Sequence, residues 1–403
     1  MSKMFPHSDT ARLTIDLAAV QANYRRLCAI TNPTPAAIQA ATTAVQVGAC
    51  VKANAYGLGL KPVVQALARA GCRRFYVATT AEGVAARQAL QDCAPPPVPP
   101  TTSPTAPDAT PPATIVVLHG FQADEAATIL AARLTPVLNS RQQVSDFAAL
   151  CQQAAPDSTT AIIHIDTGMN RLGLAAQDLA ALCQGADFRA LPIDGVMSHL
   201  ACADLPDHPM NAKQRDGLAA IPLWRNRQHK SLANSSGIFL GAGYHFDQVR
   251  PGMALYGLNP TPAAANPMRM VVTLTAPILQ VRSVKVTGAG LSVGYHATPI
   301  PAGVSRLATL GIGYADGVPW RPTSHSVCYI DDVPCPVVGR VSMDLTVIDV
   351  SAVPESLLAT AGEATVLGAH YDAESLARDT GTIGYSVLTG LGGRLQRHYS
   401  DDV

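Results

Sequence analysis

In VGACVKANAYGLG, residues 47–59, an apolar run ends on a single lysine, Lys52, and a polar segment with Tyr56 and two glycines follows. A short apolar run bounded by glycine is typical of a buried strand. Glycine also lets backbone approach a ligand closely. The stretch therefore predicts a strand that presents an ammonium group at its exit, beside a ligand-binding loop.

Seven further apolar runs alternate with segments such as PVVQALARAG and ADEAATILAARL, whose apolar residues have helical spacing. Strand–helix alternation predicts a parallel sheet, and eight strands in this length favour a closed (β/α)8 barrel of the TIM type over an open sheet. We therefore predict an α/β barrel over residues 1–264. The eight predicted strands are residues 45–52, 74–79, 114–119, 134–138, 160–166, 192–199, 230–234 and 247–250.

The pattern changes after residue 264. Runs such as MVVTLTAPILQVRSVKV and CPVVGRVSMDLTVIDV are rich in β-branched residues and are divided by Gly and Pro turns. Such runs predict a mainly antiparallel β domain over residues 265–403. One helical segment, DAESLARDTG, interrupts it near the end.

Residues 94–113, APPPVPPTTSPTAPDATPPA, contain nine prolines in twenty residues. Proline at this density excludes a helix or a central strand. The segment separates the second predicted helix from the third strand, so we interpret it as a solvent-exposed insertion. A ligand for SH3-type domains is the less favoured alternative.

The composition argues against a nucleic-acid or membrane partner. Lys+Arg and Asp+Glu both number 29, and no apolar run reaches the length of a membrane span. The N-terminal residues lack the apolar core of a signal peptide, which predicts a cytoplasmic protein. The nine cysteines include no CxxC pair and are interpreted as free thiols in a reducing compartment. No cluster predicts a metal site.

Candidate chemical groups follow the predicted strands where the strands end. In a (β/α)8 barrel these ends gather at one mouth, where active sites lie. Taken singly, each group has a structural alternative, such as a surface lysine, a core histidine or an arginine in an ion pair. Together at one mouth they favour a functional site. The residues are Lys52, Asp166, Arg171, His199, Asn234, Ser235, Arg250 and Gly252.

The residue types at this mouth indicate a carbonyl cofactor that carries a phosphate. A lysine at a strand exit suits Schiff-base chemistry. Ser235 and Gly252 follow the seventh and eighth strands, where barrels commonly bind phosphate, and Tyr56 adds a phenol donor. These groups together point to pyridoxal 5′-phosphate.

Motifs along nearly the whole chain resemble those of the alanine racemase family. In order they are VKANAYGLG, HIDTGMNRLG, MSHLACAD, LANSSG, VRPGMALYG, GYADG and GRVSMDL, and the similarity runs from residue 13 to GYSVLTGL at residue 384. The resemblance implies a fold-type III pyridoxal-phosphate enzyme with a barrel and a C-terminal β domain, active as a homodimer. It also implies interconversion of L- and D-alanine, supplying D-alanine for cell-wall peptidoglycan.

The resemblance also implies roles for individual residues. Lys52 and Tyr314 match two catalytic bases, with Tyr314 contributed by the other subunit and His199 as its hydrogen-bonding neighbour. Arg171 and Met343 match positions that bind the substrate carboxylate. The cofactor-binding positions are Lys52 for covalent attachment, Tyr56, Ser235, Gly252 and Tyr385 for the phosphate, Arg250 for the pyridine nitrogen, and His199 beside them.

The sequence departs from the family pattern at His164. Many family members have a lysine two residues before the aspartate of DTGM, modified by carbon dioxide and bonded to the arginine that orients the substrate. Here that position is His164. Arg171 must therefore be held in another way, by His164 or by a bound anion.

Three alternative functions remain open from the sequence. The nearest is a racemase for serine, lysine or a broader set of amino acids on the same scaffold. A basic amino-acid decarboxylase is disfavoured because its motifs are not found. A cofactor-carrying binding protein without catalysis is disfavoured by the long β domain with GYADG, because such proteins are lone barrels.

Deletion of residues 95–112 with a short Gly/Ser link should leave activity within a few fold of the full chain. A proline-rich tract cannot join either sheet, and surface loops tolerate length changes at little cost. The measurement is the yield of soluble protein and its turnover rate. Loss of soluble protein would show instead that the tract packs against the barrel.

Overall fold

A computed structural model of the 403-residue chain describes residues 10–33, 44–93, 113–155, 159–222, 229–285, 290–320 and 325–400. The chain forms two compact units. Val20–Arg269 make up one, and Met1–Ala19 with Met270–Val403 make up the other. Strand β1 (Arg12–Asp16) lies in the second of these, and helix α1 (Leu17–Thr31) carries the chain into the first. No helix in the described ranges is long and apolar enough to span a bilayer.

The unit Val20–Arg269 contains a nine-stranded parallel sheet that closes on itself. Its order is β2-β10-β9-β8-β7-β6-β5-β4-β3. Strands β2 and β3 are two halves of the first predicted strand, so that β2 pairs with the last strand and β3 with the next. The strands are β2 Gln46–Val47, β3 Ala49–Cys50, β4 Arg74–Val77, β5 Thr114–Val117, β6 Leu134–Leu138, β7 Ala161–His164, β8 Ile193–Met197, β9 His229–Ser231 and β10 Gln248–Val249.

Gly48 divides the first strand where the barrel closes. A Cβ at this position would lie 2.5 Å from Cε2 of Tyr76, so a larger residue would collide with the neighbouring strand. The Gly48 N–H donates to the carbonyl of Val249 over 3.0 Å. Glycine thus permits the close approach by which first and last strands meet.

Helices follow most of the barrel strands, as the apolar spacing predicted. Side chains on the strands, such as Phe75, Ile115 and Val137, are fully buried. Strands covered on both faces read as continuous apolar runs, which explains the sequence pattern. The prediction of a (β/α)8-type barrel is confirmed. The helices are α2 Leu60–Arg69, α3 Thr80–Gln91, α4 Ala126–Ala131, α5 Arg141–Gln153, α6 Ala176–Leu182, α7 Ala186–Ala190, α8 Pro209–Ala219 and α9 Ser235–Phe239.

The second unit is a mainly antiparallel β unit, and that prediction is also confirmed. Its main sheet has the order β16-β15-β18-β11-β1-β19, with β14 pairing to β11 and β17. Strands β12 and β13 form a separate pair. The strands are β11 Val272–Ser283, β12 Ser292–Val293, β13 Thr298–Pro299, β14 Arg306–Leu310, β15 Val327–Ile330, β16 Val333–Pro336, β17 Thr346–Asp349, β18 Glu363–Leu367 and β19 Gln396–Ser400.

Two features of this unit were not predicted. Strand β1, near the N-terminus, pairs antiparallel with β11 and parallel with β19. Two short helices, α10 Glu355–Thr360 and α12 Gly384–Thr389, accompany the predicted helix, which is α11 Ala373–Thr380. A five-residue strand carries too little pattern to reveal a partner far along the chain. The proline-rich segment lies outside the described residues, apart from Ala113.

Replacing Gly195 with alanine should destabilise the barrel by about 1–3 kcal/mol. The new Cβ would overlap the carbonyl oxygen of His229 on β9, and this backbone atom cannot rotate away as a side chain could. The control is Gly217→Ala on α8, where the nearest atom lies 3.5 Å away and a helix-favouring residue should add about 0.5–1 kcal/mol. Thermal unfolding of both variants tests this. Equal melting temperatures for the two would contradict the packing of β8 on β9.

Candidate active site

Lys52 lies two residues beyond the end of β3, at the start of a left-handed turn. Ala53, Asn54, Ala55 and Tyr56 have φ angles of 52°, 53°, 53° and 56°. This is a left-handed helical turn, which costs roughly 1–2 kcal/mol per non-glycine residue. Strain of this kind clusters at functional sites, where the surrounding structure stabilises it.

Hydrogen bonds hold the end of the left-handed turn. The Gly57 N–H donates to the Ala53 carbonyl over 2.8 Å, and the Gly59 N–H donates to the Asn54 carbonyl over 2.9 Å. The Asn54 side-chain oxygen accepts from the Leu60 N–H, at the start of α2, over 2.8 Å. The turn thereby fixes the backbone on either side of Tyr56.

Tyr56, Ser235 and Gly252, which the resemblance assigns to phosphate binding, lie together in the structure. The Ser235 hydroxyl oxygen accepts from the Gly252 N–H at 2.9 Å and from the Ala254 N–H at 3.2 Å. A Cβ on Gly252 would overlap the Tyr56 hydroxyl, so glycine is required for this approach. The three residues form a polar cluster beyond the ends of β3, β9 and β10, and we call them the cradle below.

Tyr256 supports the cradle and was not predicted from the sequence. Its ring packs on that of Tyr56 with centroids 4.6 Å apart, and its hydroxyl donates to the Cys50 carbonyl over 2.8 Å. The only sequence signal was a tyrosine in the VRPGMALYG motif. Its contact with the first strand appears only once the barrel is closed.

Arg250, at the end of β10, is 3% exposed. Its guanidinium donates to the Ser231 hydroxyl and to the carbonyls of Ser198 and Leu232. It also lies 3.5 Å from Nδ1 of His199. A guanidinium remains protonated in practice, so this is a fixed buried cation held by neutral acceptors.

His199 is kept neutral by its surroundings. Burial lowers its pKa well below the ordinary value, and the nearby cations Arg250, Arg171 and Lys52 lower it further. Because arginine can only donate, Nδ1 of His199 is the acceptor from Arg250, and the neutral ring carries its proton on Nε2. His199 therefore presents an N–H donor on the side opposite Arg250.

His164, at the end of β7, is also buried and neutral. Burial lowers its pKa to about 4, with Arg250 and Arg171 lowering it and Asp166 raising it. Its Nδ1 lies 2.8 Å from the side-chain oxygen of Asn139. The Asn139 amide nitrogen donates to the carbonyls of Leu118 and Val137, so its oxygen is the acceptor and Nδ1 must carry the proton. Nε2 of His164 is left as an acceptor.

Arg171 lies in a loop that folds back on β7. The Asp166 carboxylate accepts from the N–H groups of Gly168, Met169 and Asn170 over 2.8–3.2 Å, which fixes the start of this loop. The Arg171 side chain is exposed. The Asp166 carboxylate thus shapes the loop that carries Arg171.

The β unit brings Tyr314 and Met343 together. The Tyr314 N–H donates to the Ser342 carbonyl at 3.0 Å, and the Ala315 N–H donates to the Met343 carbonyl at 3.1 Å. Asp316 accepts from the Arg394 guanidinium over 2.9 and 3.0 Å, and this ion pair fixes the turn that carries Tyr314. Helix α12, which carries Tyr385, leads into residues that contact the same turn.

A parallel barrel with a lysine at a strand exit, a polar cradle and a buried arginine defines a class of enzyme that binds an anionic carbonyl cofactor at the barrel mouth. Comparisons with known proteins identify the family within this class. The family models for the alanine racemase N-terminal and C-terminal domains match residues 15–260 and 271–399.

Individual relatives match over nearly their whole length. The alanine racemase of Rhodospirillum rubrum is 42% identical over 399 residues, which is 98% of this chain and 97% of its own. A catabolic alanine racemase of Mesorhizobium japonicum is 42% identical over 392 residues, covering 96% and 93%. The crystal structure of a Bartonella henselae alanine racemase with covalently bound pyridoxal phosphate is 34% identical, with a TM-score of 0.81 and coverage of 97% and 99%. The chain therefore belongs to the alanine racemase family.

The chain is accordingly an isomerase whose cofactor is pyridoxal 5′-phosphate. The residues at the barrel mouth fit this group. Because Gly252 has no Cβ, the Tyr56 hydroxyl lies against its backbone. The Ser235 hydroxyl oxygen accepts from the N–H groups of Gly252 and Ala254, so its own hydrogen can be donated to a phosphate oxygen. The Lys52 ammonium makes no side-chain hydrogen bond or ion pair with any residue in the described ranges.

His164 should stay neutral down to about pH 4, where an ordinary histidine titrates near 6.5. The measurement is an NMR titration of protein labelled with ¹⁵N-histidine. The His164→Gln variant identifies the signal of His164, and Nε2 of this ring is expected to carry no proton. Because the unfolded chain takes up this proton first, His164 should cost about 3 kcal/mol of stability as the pH falls from 6.5 to 4. A titration at or above pH 6.5 would contradict the structure.

Proposed function

We propose that this chain interconverts L- and D-alanine by two-base racemisation, with Lys52 serving one face of the α-carbon and Tyr314 of a second copy serving the other. The observation that carries the proposal is Lys52 at the barrel mouth beside the cradle, in a member of the alanine racemase family. An amine without a competing partner is available both to hold the cofactor and to move a proton.

Pyridoxal phosphate, when bound, supplies the electron sink that makes the α-proton of an amino acid removable. The cradle and Tyr385 would hold its phosphate, and Arg250 would interact with its ring nitrogen. Arg250 is suited to this because its position is fixed by acceptors on β8 and β9. The resemblance assigns His199 as the hydrogen-bonding neighbour of Tyr314, and its Nε2–H is the donor available for that role. All these roles follow from the resemblance, and the contacts described above support those of the cradle and of Arg250.

Arg171 and the backbone of Met343 orient the substrate carboxylate in this proposal. Arg171 is exposed, and it lies close enough to His164 for its charge to lower the pKa of that ring. Holding the carboxylate fixes the α-carbon, so that removal and return of the proton occur on defined faces. The catalytic step then needs a base on each face.

The surface of the β unit supports the proposal that the enzyme acts as a homodimer. Tyr314 is 41% exposed, Met343 53% and Tyr385 37%, and Ile383 nearby is 60% exposed. Large apolar side chains exposed together mark an interaction surface. A base on this surface acts usefully only when another surface covers it and excludes water, and the barrel mouth of a second copy is the surface that carries Lys52.

In the cell we propose that the enzyme acts in the cytoplasm and supplies D-alanine for peptidoglycan. A catabolic role is the second candidate, because the relative from Mesorhizobium japonicum is a catabolic alanine racemase. Gene deletion separates the two. A requirement for added D-alanine supports the biosynthetic role, whereas loss of growth on alanine as carbon source supports the catabolic one.

The direct test of the reaction is incubation of the purified protein with pyridoxal phosphate and L-alanine, followed by chiral analysis. The mixture should approach equal amounts of the enantiomers. The kcat/KM for alanine should exceed that for serine, lysine and arginine. A higher value for one of these would reassign the substrate, and no D-alanine at all would refute the proposal.

Lys52→Ala should lose the covalently bound cofactor and nearly all turnover, since removing an acid–base group costs roughly 10²–10⁴-fold. Borohydride should fix the cofactor to the wild-type protein and not to this variant. Lys61→Ala on α2 is the matched control, because its ammonium pairs with Asp92 at 2.8 Å and is exposed. A reduced adduct mapped to a lysine other than Lys52 would overturn the assignment.

Turnover should not depend on dissolved carbon dioxide, because His164 takes the place of the modified lysine of many family members and offers a neutral acceptor to Arg171. Assays in degassed and bicarbonate-rich buffer should give equal rates. His164→Lys should acquire a dependence on bicarbonate. A clear rise with bicarbonate in the wild-type enzyme would show that another lysine performs this role.

A further inference from the structure

The left-handed turn after Lys52 needs a support that its own residues do not supply. Asparagine tolerates this conformation through its short polar side chain, but Ala53 and Ala55 have no such group. The Ala55 N–H donates to the Val51 carbonyl over 2.9 Å. The Ala53 N–H lies at the start of the turn and takes its acceptor from elsewhere in the chain.

That acceptor is Glu82, in the first turn of helix α3. One carboxylate oxygen accepts from the Ala53 N–H at 2.7 Å. The other accepts from the N–H of Ala78, just after β4, also at 2.7 Å. A single carboxylate thus bridges the exit of the first barrel strand and the exit of the next. Charged acceptors make shorter and stronger hydrogen bonds to backbone N–H groups than neutral ones.

The position of Glu82 is itself fixed. The Thr79 hydroxyl accepts from the Glu82 N–H at 3.3 Å and caps α3. A negative charge in the first turn is favourable for the helix. Glu82 therefore has a local role in its own helix. Glu125 has a similar local role at another helix start, because its carboxylate accepts from the Gln122 N–H at 2.8 Å. The contact with Ala53 is what distinguishes Glu82 from an ordinary capping residue.

We propose that Glu82 is a positioning residue of the active site: its carboxylate holds the left-handed turn so that Lys52 at its start and Tyr56 at its end face the same ligand. The inference rests on the roles of Lys52 and Tyr56 in the proposed function. Without this support the backbone relaxes toward right-handed angles. Lys52 then moves away from the barrel mouth, and the Tyr56 hydroxyl moves away from Gly252.

Glu82→Gln is the variant that tests the bridge. It keeps the shape of the side chain, but an amide can accept from only one of the two N–H groups and turns its own donor toward the other. The matched control is Glu125→Gln, which removes a comparable carboxylate from a helix start elsewhere in the barrel unit. Three readouts are needed: the half-time of pyridoxal phosphate loss from the holoenzyme on dialysis, kcat and KM for L-alanine, and the melting temperature.

Glu82→Gln should lose cofactor at least ~10-fold faster and have a kcat lower by ~10-fold or more, the size expected for a hydrogen bond to a charged group. The KM for alanine should change by less than the kcat, because Arg171 and Met343 are untouched. Glu125→Gln should match the wild type in cofactor retention and kcat even if its melting temperature falls. Wild-type retention and kcat in Glu82→Gln would overturn the proposal.

A second substitution shows whether Glu82 acts through the turn. Glycine adopts left-handed angles readily, so Ala53→Gly should recover part of the cofactor retention and kcat lost in Glu82→Gln, or restore folding if that variant does not fold. A double variant no better than Glu82→Gln would also overturn the proposal. If the wild-type protein retains pyridoxal phosphate but forms no D-alanine, the proposed function fails while the retention measurements still test Glu82.

Discussion

Concentration of positive charge at the barrel mouth is the constraint on which the rest of the site depends. Lys52, Arg171 and Arg250 bring three cations to the ends of the strands. Burial and these cations together keep His164 and His199 neutral, so that the two rings act as hydrogen-bonding groups of fixed proton position. Such a site favours anions, and a cofactor phosphate and a substrate carboxylate supply them.

The two units contribute different parts of the chemistry. The barrel fixes polar atoms through backbone contacts, as in the Ser235–Gly252 cradle and the guanidinium of Arg250. The β unit presents Tyr314 on an exposed surface, held by the ion pair between Asp316 and Arg394. Racemisation needs a base on each face of the substrate, and in the proposed function each of two chains provides one of them. A dimer would then be required for catalysis.

The barrel could be predicted because its signals are local, and so could the position of candidate polar groups at the strand ends. Buried parallel strands read as apolar runs, and functional groups follow them at the strand ends, as Lys52 does. The left-handed turn was not predictable, since alanine is a strong helix former of the opposite hand. His164 and Asn139 are 25 positions apart in the sequence, and Glu82 and Ala53 are 29 positions apart. Only the closed barrel brings the members of each pair together.

The account is tested most directly by complementation between Lys52→Ala and Tyr314→Phe. Each variant alone should be nearly inactive. Refolding an equal mixture should give heterodimers in which one site regains both bases and the other loses both. Random pairing places half of the dimers in this class, so activity should recover to about a quarter of the wild-type value. A mixture no more active than its parents, with heterodimers confirmed by mass, would contradict a site shared between two chains.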